Sequence, residues 1–176
     1  MFGKYFSWRT YKAFFLKMMR SSENPDYLAR GVALGLFIGF LVPMGLQIVI
    51  VLPLAFLLKA AKIPAVAFTF VTNHLTVFFI YPVQCWIGSY LMFHPFRYEV
   101  LAEQMNGLID APDMATFMAE IARLGVQLGA SFFLGGLLFG VIAGLFGYLF
   151  TYWAAVRFYA RAAARKKARA DAANNL

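Results

Sequence analysis

A run of 28 uncharged residues, Gly31 to Leu58, constrains this chain more than any other feature, because Pro43, Gly45 and Pro53 interrupt it. A charge-free run of that length suits a bilayer. Helix breakers at its middle are incompatible with one plain rod. The pattern predicts a helical hairpin or a broken helix, with the polar Gln47 beside the break. Irregular backbone at membrane depth is tolerated only where protein or a water-lined cavity satisfies it. The break is therefore the first place to look for function.

Composition agrees with a membrane. Of the 176 residues, 62% are apolar, and the mean hydropathy is +0.68. Soluble domains sit nearer half apolar. The net charge of +8 is concentrated at the ends: Lys4, Arg9, Lys12, Lys17, Arg20 and Arg30 precede the first apolar run, and Arg157, Arg161, Arg165, Lys166, Lys167 and Arg169 follow the last. Such ends suit either nucleic acid or a cytoplasmic membrane face with anionic lipid head groups. Both adjoin apolar runs, which favours the lipid bilayer and its head groups over nucleic acid. Cys85 is the sole cysteine, so no internal disulfide forms, and it reads as a small packing residue. The first thirty residues lack a continuous apolar core, so no cleavable signal peptide is expected.

Three regions follow. Residues 1–24 form a basic segment in which Trp8, Tyr11, Phe14, Phe15, Met18 and Met19 share one helical face and Arg9, Lys12, Lys17 and Arg20 the other. That arrangement predicts an interfacial amphipathic helix on the membrane, or one packed on the protein's own surface. Residues 25–156 form a single membrane domain. It opens at Asn24-Pro25-Asp26, a helix start by capping, ring geometry and charge. Its apolar runs are 31–58, 63–96 and 124–156, with an acidic segment 97–123 of net charge −3. Two short amphipathic helices divided at Ala111-Pro112-Asp113 are expected in the acidic segment. Residues 157–176 form a basic helical tail.

Charge sets the expected topology. Both termini should be cytoplasmic and the acidic segment outside. Lys59 and Lys62 favour a cytoplasmic return after the first run. The simplest solution makes Gly31–Leu58 re-entrant, lets Ile63–Phe96 cross once with a kink near Pro82, and returns the chain through Leu124–Val156. Three crossings before Arg97 is the rival count, and it needs short spans.

Two ridges of small residues stand at helical spacing, Gly31, Gly35 and Gly39, and Gly136, Gly140 and Gly144. Such ridges let helix backbones approach closely in lipid. They are expected to pack on each other or on a second subunit, as helix contacts more readily than as a substrate path. Two polar clusters interrupt the apolar runs. In Pro43-Met44-Gly45-Leu46-Gln47, Gln47 either mends the break or touches a ligand. The second cluster holds Thr69, Thr72, Asn73, His74 and Thr76. Intramembrane polar side chains usually face a partner or a cavity. Asn73 suits the cap of a half-helix, whose exposed N–H groups attract anions. His74 reads as a structural histidine before a proton relay, since neither run offers it a carboxylate. His94, beside Pro95, is expected at the interface.

No paired carboxylates, metal spacing, phosphate loop or nucleophile elbow is present. An enzyme is not expected, nor a metal or cofactor.

The segments Gly31-Val32-Ala33-Leu34-Gly35-Leu36-Phe37-Ile38-Gly39 through Pro43-Met44-Gly45-Leu46-Gln47, and then Thr69 to Thr76 with Tyr81 and Gly88, resemble a bacterial membrane family catalogued as domain of unknown function 2062. His74 stands where that family usually has proline, and Phe78-Phe79 where proline is common. The resemblance implies a multi-span protein of the bacterial inner membrane and no particular reaction. Some relatives carry glycosyltransferase domains, which points to lipid-linked sugar or envelope work.

The fold expected is thus all-α: an integral membrane protein with interrupted or re-entrant helices, a glycine-rich C-terminal span and an interfacial N-terminal helix. Two functions suit it. One is a small transporter-like or lipid-handling protein whose polar site lies between the breaks. The other is a scaffold that recruits a partner envelope enzyme. Either is expected as a homo-oligomer or a complex subunit.

Overall fold

The computed structural model describes residues 24–92 and 113–174. The N-terminal amphipathic segment, His94 and most of the acidic segment lie outside them. The described residues form five helices and no strand: α1 Pro25–Leu41, α2 Gln47–Leu57, α3 Lys62–Thr69, α4 Val77–Leu91 and α5 Met114–Asn174.

α1 starts where its sequence says it should. Asn24 Oδ1 accepts from the backbone N–H groups of Asp26 (3.0 Å) and Tyr27 (3.3 Å), and Pro25 fills a position that needs no N–H. The helix ends at Leu41 and the chain turns through Pro43 and Gly45, whose φ of +107° suits glycine and strains other residues. α2 then runs back. Its end closes with Lys59 N–H on Phe56 O (3.3 Å) and Ala60 N–H on Ala55 O (2.8 Å), a Schellman motif. Ala61 N–H donates to Tyr27 O (3.0 Å), so the chain has returned to the base of α1. α1 and α2 form a hairpin.

α3 rises beside α1 in the same direction. A methyl group at Gly31 would overlap the Ala61 carbonyl, one at Gly35 the Ala65 carbonyl, and one at Gly39 would sit 3.0 Å from Thr69 O. Each contact joins residues with the same separation in the chain. The turns Met44–Leu46 and His74–Thr76 repeat at that separation too. After its turn, the chain enters α4.

α5 runs antiparallel to both α1 and α4. Gly136 meets Phe40, Gly140 meets Phe37 and Gly144 meets Ala33, while Gly88 meets Ser131 and Gly135 meets Gln84. α4 and α1 thus pack along successive stretches of α5, on different sides of it. The two ridges foreseen from sequence do not pack on each other. One face of α1 takes α3 into its glycines, and another face of α1 fills the glycines of α5. A single helix presents several faces, and spacing alone does not say which face meets which.

Two further expectations change. Pro53 and Pro82 sit inside continuous α2 and α4 rather than breaking them. Each ring removes one helical hydrogen bond while the flanking bonds persist, and both prolines face outward. The expected boundaries after Arg123 and Val156 coincide with no helix break, because α5 is continuous over 61 residues. Asp113 caps it, with Oδ1 accepting from Thr116 N–H (2.7 Å), and this bond holds the carboxyl below its ordinary range.

Among the described residues one helix is long and apolar enough to cross a membrane, Ala122–Arg165. Only 22% of its most apolar window is buried within the protein, unlike the core helix of a soluble domain. Large apolar side chains are exposed elsewhere as well, including Leu57 at 78%, Phe78 at 76% and Phe79 at 73%. Apolar surface on this scale is consistent with a membrane protein.

Candidate functional site

The chemistry at the first break follows from one missing hydrogen. In an unbroken helix Gly39 O would accept from the N–H of residue 43. That residue is Pro43, which has none. Gln47 and Thr72 stand in. Gln47 Nε2 donates toward Gly39 O (3.0 Å), Val42 O (2.9 Å) and Thr72 Oγ1 (2.7 Å). Thr72 Oγ1 donates to Gly39 O (2.8 Å). Gln47 is 4% exposed and Thr72 fully buried. An amide and a hydroxyl from the two breaks thus complete the C-terminus of α1.

The next carbonyl is handled the same way. Phe40 O would pair with Met44 N–H, but Met44 N–H donates to Tyr81 Oη on α4 (2.8 Å). Gln84 Nε2 donates to Phe40 O instead (3.0 Å) and also to Phe132 O on α5 (2.9 Å). Gln84 is fully buried, and its Oε1 meets no donor among the described residues. Tyr81 additionally packs edge-on against Phe132, with ring centroids 4.8 Å apart. α4 is therefore pinned to the first turn and to α5 by two side chains one helical turn apart.

The second break is built from its own residues. Asn73 Oδ1 accepts from Leu75 N–H (2.9 Å) and Thr76 N–H (3.1 Å). Thr76 Oγ1 accepts from Asn73 N–H (2.9 Å) and donates to Val71 O (2.8 Å). Asn73, three residues ahead of the α4 cap Thr76, thus closes the turn that leads into α4 rather than capping α4 itself. Thr69 Oγ1 returns to Val66 O within α3 (2.7 Å).

The two turns face one another across a cleft of about 400 Å³, lined by Met44, Gly45, Ile48, Phe70, Asn73 and His74 with Gln47 at its floor. The structure therefore divides the polar residues singled out from sequence. Gln47, Asn73 and His74 line the cleft. Thr69, Thr72 and Thr76 do not, and their hydroxyls are spent on backbone carbonyls. His74 is exposed and Asn73 half-buried.

The residues that meet here lie within the stretch matched by a known family. Uncharacterized proteins conserved in bacteria, DUF2062, match residues 8–165 of the chain. The chain belongs to that family. No curated protein and no solved structure matches it. In this DUF2062 member Gly31, Gly35, Pro43, Gly45 and Gln47 act as one device, in which glycines admit α3, Pro43 ends α1 and Gln47 supplies the missing donor. Sequence reading passed over Gln84, although it carried a usable signal, since an amide within a charge-free run must find partners. Tyr81 entered only through the family resemblance, because a tyrosine is by itself ordinary in such runs.

A second polar tie lies at the base of α1. Tyr148 Oη donates to Asp26 Oδ1 (2.7 Å), and Arg30 pairs with the other oxygen of the same carboxylate. The Tyr148 hydroxyl first, and Arg30 after it, hold the Asp26 carboxyl below its ordinary range. Among the described residues no three His, Cys, Asp or Glu side chains gather closely enough to hold a metal ion.

Proposed function

We propose that this is a multi-pass protein of the bacterial inner membrane that handles lipids, holding an amphipathic molecule in the cleft between its two turns. The carrying observation is the make-up of that cleft, in which Ile48, Phe70 and Met44 offer apolar walls and Asn73 and His74 a polar rim. Gln47 and Thr72 support the reading by being satisfied within the protein, so the first turn is a rigid wall. The bilayer placement rests on the span in α5 and on the register of its neighbours. α1 is roughly 25 Å long, short of a hydrocarbon core of roughly 30 Å, and α2 returns to its base. α3 and α4 together continue past the end of α1. A hairpin re-entering from a cytoplasmic face, one interrupted crossing and one return fit that register, with both termini cytoplasmic. The protein is a binder in this reading and not an enzyme.

The test uses single cysteines in a Cys85→Ser chain. A cysteine at the exposed Lys59 should label from the cytoplasmic side and one at Asn106 from outside. Cysteines at Asn73 and His74 should react with a water-soluble maleimide and be protected by a short-chain phospholipid. Labelling at position 59 from outside sinks the topology, and reaction at both turn positions without protection sinks lipid handling.

One observation favours the scaffold reading. Gly125 and Gly129 form a small-residue ridge on α5, and nothing among the described residues lies within 4 Å of a methyl group built at either. A second subunit or a partner helix would fit there. Disulfide capture of a stoichiometric partner from position 125 would support this reading, and lone chains would remove it.

A further inference from the structure

A larger cleft, of 560 Å³, opens between α1 and α5 near the base of the hairpin. Its volume falls within the roughly 300–1,000 Å³ typical of ligand pockets. Ala33, Phe37 and Leu58 line it together with Val141 and Leu145, beside the close contacts that Gly140 and Gly144 make with α1. Its polar residues, Arg30 and Tyr148, stand on neighbouring turns of α1 and α5 that the Asp26 carboxylate ties together. The trough is therefore apolar along its length and charged at one end.

A lysine adds to that end. Lys59 lies between the cleft residues Leu58 and Ala60, with φ +49°. It occupies the C′ position of the Schellman motif, where glycine is the usual residue. A lysine there bears backbone strain that glycine avoids, and strained positions point toward function. Lys59 is exposed and has no ion pair among the described residues. Arg30 shares its charge with Asp26, so Lys59 is the cation free to meet an anion.

We propose that this cleft binds one acyl chain of an anionic phospholipid, with the phosphate against Lys59 and Arg30 and the chain laid along Phe37, Val141 and Leu145. The charge pattern chooses this occupant. A zwitterionic lipid offers the same phosphate with a cation beside it, so it gains less from Lys59 than an anionic lipid does. The proposal rests on the bilayer placement above but not on the turn cleft, with which this cleft shares no lining residue. Cysteine labelling decides that placement separately.

The experiment is native mass spectrometry of the full chain in detergent, titrated with phosphatidylglycerol and with phosphatidylcholine of the same acyl chains. One phosphatidylglycerol should be retained per chain, with roughly fivefold preference over phosphatidylcholine for each cation that meets the phosphate. Val141→Trp, at a rim position 43% exposed, should fill the trough and abolish retention of both lipids. Lys59→Gln should keep phosphatidylcholine binding and lose most of the preference. Equal affinity for the two lipids in the natural chain would overturn the proposal, as would full retention in Val141→Trp. Lipid binding that emerges only after removal of residues 1–23 would also overturn it, and would make that segment the occupant.

Discussion

The two turns of this protein have the same local course and opposite means of support. The first, at Met44–Leu46, closes on itself through Leu46 N–H on Pro43 O (3.3 Å) and Gln47 on Val42 O (2.9 Å), and depends for the rest on distant side chains. Its proline withholds a donor, and the carbonyls released are met by Gln47, Thr72 and Gln84 from three different places in the chain. The second, at His74–Thr76, is closed by Asn73 and Thr76 within a few residues. A turn held from outside exists only once the helices have assembled. A turn held by its own side chains carries its shape in the local sequence. The comparison shows why a polar residue in an apolar run need not mark a binding site, since here it can repair a helix end.

Four measurements would break or sharpen that contrast. The largest effect belongs to Gln47→Ala, which takes the donor from Val42 O and the Thr72 hydroxyl and leaves Gly39 O to Thr72 alone. It should cost about 3 kcal/mol in thermal or denaturant unfolding in detergent. A cost under about 1 kcal/mol would mean that water replaces the amide easily. A double-mutant cycle should then couple Gln47 to Thr72 and leave Gln47 and Asn73 additive.

Gly45→Ala comes next, at about 2 kcal/mol. A methyl group there meets nothing within 4 Å, so the whole cost lies in the positive φ. D-alanine introduced by semisynthesis should restore stability, and failure to do so would move the cost from backbone to packing. Asn73→Ala should cost about 1 kcal/mol, and Asn73→Asp much less, because a carboxylate accepts the same two N–H groups. Equal losses from the two variants would show that Asn73 works through its Nδ2 donor and not as a turn closer.

The smallest effect is a pH dependence far from both turns. A carboxyl whose folded pKa is lowered contributes stability above its unfolded pKa, and loses that contribution as pH falls through the folded value. Asp26 is such a group. The unfolding temperature should therefore drop on acidification below the ordinary carboxylate range, and Tyr148→Phe should reduce the drop. The reduction should be the same with and without Gln47→Ala, since the base of α1 and its end share no contact.

Parts of this arrangement were legible in the chain. The helix start at Asn24, the break at Pro43-Gly45 and the interruption at Thr72–Thr76 were all visible as local chemistry. Capping residues, proline geometry and glycine's φ act over a few residues, so no neighbour is needed to read them. Pro53 and Pro82 misled for a related reason. A proline costs one hydrogen bond, and whether that ends a helix depends on what surrounds it. The glycine ridges misled in another way. Their spacing announced close packing, but partners were a matter of which faces met.

By itself the sequence determined that this protein is helical, apolar over most of its length, charged at its ends and broken at two places. Those properties follow from composition, periodicity and backbone sterics, which belong to each segment alone. Only the tertiary structure decided that Gly31, Gly35 and Gly39 receive α3, that Gln84 joins α1, α4 and α5, and that Gln47 completes α1 while Asn73 and His74 rim an open cleft. The reason is physical. A carbonyl freed by Pro43 accepts from whichever donor the fold delivers, and delivery depends on helices that meet only after the chain has turned back on itself.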